Sequence, residues 1–124
     1  MNSMIVTDRA GVRLDLDDGA ERAIQAILKV ESNQHKVMLA GNGGSASIVS
    51  HVQNDLLKRA GVKAMVFTEQ PLLLALANDD GFETIYEWPV VKWAETGDLM
   101  ITLSSSGRSE NILRAAHASL QKGC

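Results

Sequence analysis

Residues 36–46, Lys36-Val-Met-Leu-Ala-Gly-Asn-Gly-Gly-Ser-Ala46, decide the fold of this chain. The segment opens as a short apolar run of strand-forming side chains, which three glycines then end sharply. From Ser45 to about Arg59 the pattern turns helical, and the apolar positions on one side are Ile48, Val49, Val52 and Leu56. A buried strand that turns through glycines into a helix is typical of a βαβ unit.

The rest of the chain continues this alternation of strands and helices. We expect a first helix at residues 17–33, strands at 63–67 and 98–103, a short buried helix at 72–77, a helix at 83–94 that Pro89 kinks or divides, and a closing helix at 110–121. Apolar strands that alternate with helices predict a parallel sheet covered on both faces, which is an α/β fold.

Helical spacing also predicts which faces the first and last helices bury. The apolar positions of the first helix are Ala20, Ala23, Ile24, Ile27 and Leu28. Those of the last helix are Ile112, Leu113, Ala116 and Leu120. We expect both sets to face the core.

Composition argues against several classes of protein. The 124 residues include 12 basic and 15 acidic side chains, giving a net charge of −3, and 45% are hydrophobic, which suits one globular domain. The longest apolar run, residues 72–77, is far too short to cross a bilayer, and the first residues show no secretory signal. Net acidity without a basic patch argues against nucleic-acid binding.

The single cysteine, Cys124, can form neither an internal disulfide nor a cysteine-based metal site, so we expect a reducing, cytoplasmic compartment.

The first loop, residues 41–46, has the chemistry of an anion site. Its glycines let a ligand approach the backbone, and the helix that follows offers free N–H groups to a negative charge. Asn42 and Ser45 add hydrogen-bonding side chains, while the absence of a Lys-Ser/Thr ending excludes a Walker loop. The same residues also fit the dinucleotide pattern Gly-x-Gly-x-x-Ala, with Glu69 near the place of a ribose-binding acid. A tight turn without a ligand is the structural alternative.

The second loop, residues 104–109, reads Ser-Ser-Ser-Gly-Arg-Ser and precedes the closing helix. Four hydroxyls, a glycine and a helix N-terminus suit a tetrahedral phosphate better than a dinucleotide. The alternative is a capped helix, with Ser106 or Ser109 as N-cap, after a solvated serine run. Ligands of parallel sheets bind beyond the carboxyl ends of the strands, where both loops lie, so we expect the loops to form one phosphate site.

Together with Ala77-Asn-Asp-Asp-Gly-Phe82, the two loops resemble the sugar isomerase (SIS) domain and, within it, the phosphoheptose isomerase branch. The resemblance covers about residues 17–123. It implies a flavodoxin-like three-layer α/β/α sandwich with a parallel sheet, in a single SIS-type domain. The parts of that domain are an irregular N-terminal segment at 1–16, an N-terminal helix at 17–33 and a phosphosugar-binding α/β core at 36–123.

The resemblance also implies a function and a set of site residues. Members of this branch are aldose–ketose isomerases that act on sedoheptulose 7-phosphate in the synthesis of heptose precursors of surface polysaccharides. They need no nucleotide cofactor, and they assemble into homodimers or homotetramers with sites between subunits. Carried over by position, the phosphate- and substrate-binding residues are Asn42, Gly43, Gly44, Ser45, Asp79, Ser104, Ser105, Ser106 and Ser109.

His51 and Asp55 fall on the His-x-x-x-Glu of that branch, which implies a zinc site and a proton-transferring base. Four residues apart on a helix, the two side chains share a face. A histidine and a carboxylate so placed can bind zinc together or act as acid and base. An ordinary surface ion pair is the alternative.

Two departures from the branch keep other functions open. Asp55 replaces a glutamate, which withdraws the carboxylate by about one C–C bond. The family's chains also continue past the position of Cys124 with a further acid/base or metal group, so this chain looks truncated at its C-terminus. One alternative is therefore a non-catalytic adaptor or regulatory protein, like the replication-initiator-associating protein of the same fold. Another is a dinucleotide-binding fragment, which predicts NAD binding.

Overall fold

The structure, a computed structural model that describes residues 4–124, is built around a three-stranded parallel sheet. Its middle strand, β3 (Val37–Gly41), is buried along its length and lies between β4 (Ala64–Val66) and β5 (Leu99–Leu103). Gly41 at the end of β3 lies opposite Leu103 at the end of β5. The carboxyl ends of these two strands are therefore neighbours, which places the loops that follow them side by side.

Helices cover both faces of the sheet. On one face, Val30 of α1 (Leu16–Ser32) and Val49 of α2 (Gly44–Arg59) pack with the β3 side chains Val37 and Leu39. The other face is covered by α3 (Gln70–Asp79), the 3₁₀ turn Phe82–Thr84, α4 (Glu87–Trp93) and α5 (Glu110–Gln121). Met38 and Ala40 of β3 pack against these elements or the residues beside them. Alternate β3 side chains thus enter opposite cores, and the predicted α/β/α sandwich is confirmed.

The predicted strands and helices are confirmed, with adjusted bounds. The closing helix occupies residues 110–121 as expected, and Gly61, with φ of 69°, follows the end of α2. The segment 83–94 is divided before Pro89, which lies in the first turn of α4 where no backbone N–H is needed. α3 is longer than the predicted 72–77, and Leu72 and Leu74 on it are exposed, so the expectation of a buried helix there is wrong.

The N-terminal segment is more ordered than the sequence predicts. Val6–Thr7 (β1) and Arg13–Leu14 (β2) form a short antiparallel pair where an irregular segment was expected. Residues 1–3, including the start at which no secretory signal was noted, lie outside the described residues. α1 begins after Asp15, whose carboxylate accepts a 2.8 Å hydrogen bond from the Asp18 N–H as an N-cap.

The faces predicted to be buried are partly wrong. In α1, Ile24 is 55% exposed and Leu28 52% exposed, and the helix enters the core at Val30. Ile27 of the predicted face is half-buried and packs against the core, whereas Ile24 and Leu28 form an exposed apolar stripe. In α5 the buried residues are Asn111, Ile112, Ala115, Ala118 and Ser119. Leu113 and Leu120 therefore lie on the surface. Within residues 4–124, no helix combines the length and the apolar character that a membrane span requires.

Candidate functional site

The two glycine- and serine-rich loops meet at the carboxyl edge of the sheet. The first loop leaves β3 at Gly41, and the second leaves β5 at Leu103, directly opposite. The side chain of Asn42 in the first loop is hydrogen-bonded to Asn111 in the first turn of α5, at 2.8 and 3.0 Å. The structure thus brings the first loop against the first turn of α5, the helix that follows the second loop.

Close packing fixes the path of the first loop. A side chain at Gly41 would place its Cβ 2.9 Å from backbone atoms of Ser45, so that residue must be glycine for the turn to close. The hydroxyl of Tyr86 donates a buried 2.7 Å hydrogen bond to the Gly41 carbonyl. Gly43, with φ of 52° and ψ of −122°, is the N-cap of α2 and supplies a backbone conformation that other residues rarely adopt. Ser45 follows in the first turn, which contains no acidic residue to occupy the positive end of the helix.

Hydroxyl groups converge in the second loop. The Ser104 Oγ lies 3.3 Å from the Ser109 Oγ and 3.5 Å from the Ser106 Oγ. Ser104 also accepts from the Gly107 N–H, and Ser106 accepts from the next N–H along the chain, both at 3.1 Å. Ser105 is exposed in the same loop. The loop is therefore held in shape by two of its own serines.

Ser109 occupies the N-cap position of α5 without capping the helix. Its side chain makes no hydrogen bond to the first turn. The capped-helix alternative is therefore correct in placing Ser109 at the N-cap position, but the Ser109 hydroxyl does not cap the helix. A serine hydroxyl at the start of a helix, where the first N–H groups have no partner within the helix, suits an anionic ligand.

An open cleft of about 480 Å³ lies beside the joined loops. Its lining residues are Asn42, Phe82, Glu83, Ser109, Glu110, Asn111 and Arg114. Arg114 bridges Glu110 at 3.2 Å and Glu87 at 3.5 Å. Because the cleft wall carries both signs of charge, the preference for an anion would come from the loops themselves.

Asp79 and the His51–Asp55 pair lie outside this lining. Asp79 is exposed at the end of α3 and accepts a 2.7 Å hydrogen bond from Asn78, while Phe82 of the same motif reaches the cleft. The His51 Nε2 lies 3.4 Å from Asp55 Oδ2 on the outer side of α2, and His51 is 76% exposed. Arg59 approaches the other oxygen of Asp55 at 3.3 Å. The roles predicted for these three residues stay predictions.

The metal-ligand chemistry of the pair is incomplete. A histidine nitrogen and a carboxylate suit zinc, but a zinc site in a protein uses three or four protein donors. No group of three histidine, cysteine or acidic side chains comes together among residues 4–124. Among residues 4–124 the pair therefore lacks the further donors that a zinc site needs, and the zinc site stays a prediction.

Asn111 and Tyr86 were not predicted from the sequence, although both hold the first loop. Asn111 sits on the inner face of α5, where an otherwise apolar or small-residue surface makes a polar side chain unexpected. This buried polar residue on an otherwise apolar face was the signal in the sequence that could have identified Asn111. Tyr86 gave none, because a tyrosine between two short helical segments is ordinary core composition.

Fold and site together define an α/β domain in which glycine- and serine-rich loops follow two adjacent strand ends beside an open cleft. The sequence matches the SIS domain family over residues 9–124. The chain belongs to the SIS domain family.

The chain is also similar to phosphoheptose isomerases. That of Nitratiruptor sp. is 39% identical over 98 residues, covering 74% of this chain and 52% of the relative. That of Bradyrhizobium sp. is 32% identical over 127 aligned positions, covering 98% of this chain and 64% of the relative. The structure of the Neisseria gonorrhoeae enzyme matches with a TM-score of 0.79 at 28% identity, covering 83% of this chain and 56% of that one. The chain thus spans between half and two thirds of the length of these relatives.

Proposed function

We propose that this protein is an aldose–ketose isomerase of the phosphoheptose isomerase type, acting on sedoheptulose 7-phosphate in the synthesis of heptose precursors of surface polysaccharides. The observation that carries the proposal is the pair of hydrogen bonds between Asn42 and Asn111, which joins the first loop to the helix that follows the second loop. The similarity to phosphoheptose isomerases supports the substrate class. It does not favour the adaptor alternative.

The substrate phosphate would lie between the two loops. The Ser45 N–H already donates to the Asn42 carbonyl at 2.9 Å, so the first loop would contribute the Ser45 hydroxyl and the N–H groups of Gly43 and Gly44. Hydroxyls of the second loop, from Ser104, Ser106 and Ser109, would contact the phosphate from the other side. Several short donors around a tetrahedral anion fix both its position and its orientation. The open cleft beside Ser109 then gives the sugar chain a place to extend.

The isomerisation needs a base and a group that stabilises negative oxygen. The base removes the proton from the carbon next to the carbonyl, an enediol or enediolate forms, and the proton returns to the neighbouring carbon, so no atom or electron is gained or lost. We propose Asp55 as this base, with His51 at 3.4 Å as the partner that accepts or returns a proton to the sugar oxygens. The Arg59 Nε lies 3.3 Å from the other oxygen of Asp55 and helps to hold the carboxylate in place.

We also propose that the protein is a homodimer or homotetramer with sites shared between subunits. His51 and Asp55 are exposed and lie outside the cleft lining of their own chain, so a neighbouring subunit is a route by which such a pair reaches substrate. The exposed apolar stripe of α1 offers a surface for such an assembly. The cytoplasm is the proposed compartment, since the free thiol of Cys124 persists in reducing conditions.

Zinc is a separate part of the proposal. His51 and Asp55 would supply two ligands, and a further donor would come from another subunit or another chain segment. Calorimetry then measures zinc binding to the metal-free protein. We expect the unaltered chain to bind zinc with a defined stoichiometry and His51→Ala and Asp55→Ala each to abolish the binding. Zinc binding that survives both variants contradicts this assignment.

The function is tested by incubating the protein with sedoheptulose 7-phosphate and following the aldose product by NMR. We expect turnover, and we expect Asp55→Ala to lower kcat by at least about a hundredfold, as loss of a general base does. NAD is titrated in parallel, because the dinucleotide alternative predicts binding and the isomerase proposal predicts none. Failure to bind or convert any of several sugar phosphates, or full turnover by Asp55→Ala, contradicts the proposal or its base.

A further inference from the structure

The side-chain amides of Asn42 and Asn111 form a closed pair between the first loop and α5. The Asn42 Nδ2 donates to the Asn111 Oδ1 at 3.0 Å, and the Asn111 Nδ2 donates back to the Asn42 Oδ1 at 2.8 Å. The two residues are 69 positions apart in the sequence. Each amide satisfies a donor and an acceptor of the other, so the pair specifies both distance and orientation.

Burial makes this contact difficult to replace. Asn111 is 2% exposed and lies on the inner face of α5 beside Ile112 and Ala115. A buried amide that loses its partner leaves a donor and an acceptor unpaired, which is unfavourable. The arrangement in which the first loop and α5 hold each other is therefore strongly favoured over any in which they part.

The first loop is held at two consecutive residues by two different elements. Tyr86, just before α4, donates to the Gly41 carbonyl at 2.7 Å, and Asn111 of α5 binds the side chain of Asn42. Asn42, Ser109 and Asn111 line the same cleft. The contact therefore lies at the cleft between the first loop and the start of α5.

We propose that Asn111 is a positioning residue, which holds the first loop in its ligand-binding shape through Asn42. The inference rests on the proposed function, because it concerns the sugar phosphate that the loops would bind. A loop held in its binding shape beforehand loses little conformational freedom when the ligand arrives. When Asn111 is removed, the loop samples other shapes, and the apparent affinity falls with the population of the competent one.

Binding of sedoheptulose 7-phosphate to the full chain, measured by calorimetry, tests this role with a double-mutant cycle. We expect Asn111→Ala to weaken binding about tenfold, which corresponds to a competent population reduced to about one tenth. Because Asn111 acts through Asn42, the double variant Asn42→Ala/Asn111→Ala should bind no more weakly than Asn42→Ala. An additive loss would instead mean that Asn111 touches the ligand, which overturns the positioning role.

Ser119→Ala is the matched control for the cycle. Ser119 is also a buried polar residue on the inner face of α5, but its hydroxyl bonds to the Ala116 carbonyl at 2.7 Å, near the other end of the helix. We expect this variant to lower the Tm with no change in affinity. If Ser119→Ala and Asn111→Ala weaken binding equally, the effect is general destabilisation, and the proposal is wrong.

Asn111→Asp is the second variant, for the case in which Asn111→Ala does not fold. The substituted carboxylate keeps the size and the accepting oxygen but cannot donate to the Asn42 Oδ1, whereas its protonated form can. The sugar-phosphate affinity of Asn111→Asp, divided by that of the unaltered chain, should therefore recover as the pH falls toward about 5. Loss of packing alone would not make this ratio depend on pH. A pH-independent ratio contradicts the proposal.

Hydrogen exchange of the Asn42 side-chain amide, followed by NMR without ligand, separates this proposal from the proposed function. We expect slow exchange in the unaltered chain and fast exchange in Asn111→Ala. If the unaltered chain binds no sugar phosphate, the proposed function fails even where the amide is protected. If binding is intact in Asn111→Ala while the Asn42 amide exchanges fast, the positioning role alone fails.

Discussion

The serines of the second loop differ in the hydrogen bonds that their hydroxyls make within the chain. Ser104 and Ser106 each accept a backbone N–H of their own loop at 3.1 Å and so maintain its shape. Ser109 starts α5 without capping it, and its hydroxyl contacts the Ser104 hydroxyl at 3.3 Å. A ligand can therefore take hydrogen bonds from Ser109 without disturbing the loop backbone.

Ser109→Ala should accordingly weaken sugar-phosphate binding more than it affects stability. Loss of one hydrogen bond to a charged group corresponds to about 1.5–3 kcal/mol, or roughly a tenfold to a hundredfold rise in Kd. The Tm should change little because no helix cap is removed. Calorimetry and thermal melting measure both, with Ser32→Ala at the end of α1 as a serine control far from the loops. A large fall in Tm with unchanged Kd would show that the hydroxyl is structural.

Gly41→Ala should destabilise the chain, because the added Cβ would lie 2.9 Å from the Ser45 backbone. Overpacking of this kind typically costs about 1–3 kcal/mol. Gly44→Ala is the matched comparison, since nothing lies within 4 Å of the Cβ it would add. We expect urea unfolding to give a lower free energy for Gly41→Ala and an almost unchanged one for Gly44→Ala. Equal effects would mean that the close contact relaxes freely.

At the scale of secondary-structure elements, a buried ion pair joins β3 to β5 at the end opposite the loops. The side chain of Asp98 has no exposed surface and lies 2.6 Å from the Lys36 Nζ. It also accepts the backbone N–H groups of Lys36 at 3.0 Å and Glu95 at 2.8 Å. Burial raises the pKa of Asp98, but the hydrogen bonds from Lys36 and Glu95 outweigh it and hold that pKa below its ordinary value.

The lowered pKa predicts acid sensitivity. Because the folded chain favours the ionised carboxylate, the stabilisation is complete above the ordinary pKa of about 4 and is lost as pH falls through the lower folded pKa. Asp98→Asn should lower the free energy of unfolding by about 3 kcal/mol at pH 7, because it breaks a buried ion pair. The difference in this free energy between the variant and the unaltered chain should become smaller near pH 3. Urea unfolding at both pH values measures this. Glu95→Gln, which alters the exposed partner of Lys36, is the control and should change stability by less than about 1 kcal/mol.

Sequence periodicity predicts where the helices and strands occur better than it predicts which of their faces are buried. The bounds of α5 follow from residues 110–121 alone, because caps and spacing are local signals. The exposure of Leu113 and Leu120 does not follow, since an apolar stripe identifies a face but not its partner. The Asn42–Asn111 pair was also beyond prediction, as nothing in a single sequence links positions 69 apart. The loops were predictable because glycine and serine runs carry their chemistry locally.

Over the whole molecule, apolar surface remains at the edges of the sandwich. Within residues 4–124, β4 and β5 each have one sheet neighbour, β3. α1 exposes Leu16, Ile24 and Leu28 along one stripe. Together these features favour association with other protein surfaces, since exposed edges and apolar patches are stabilised by being covered.

A second copy of the chain is the partner proposed for the α1 stripe, and charge placed on the stripe tests it. Ile24→Glu/Leu28→Glu should shift the protein to monomers, because burying two unpaired carboxylates in an apolar interface is strongly unfavourable. Sedimentation velocity gives the mass of the unaltered and variant proteins at several concentrations. Gln25→Glu adds a charge to the same helix off the stripe and should leave the assembly intact, so an equal loss in this variant would place the interface elsewhere. If sites are shared between subunits, the monomeric variant should also lose turnover while its far-ultraviolet circular dichroism stays unchanged.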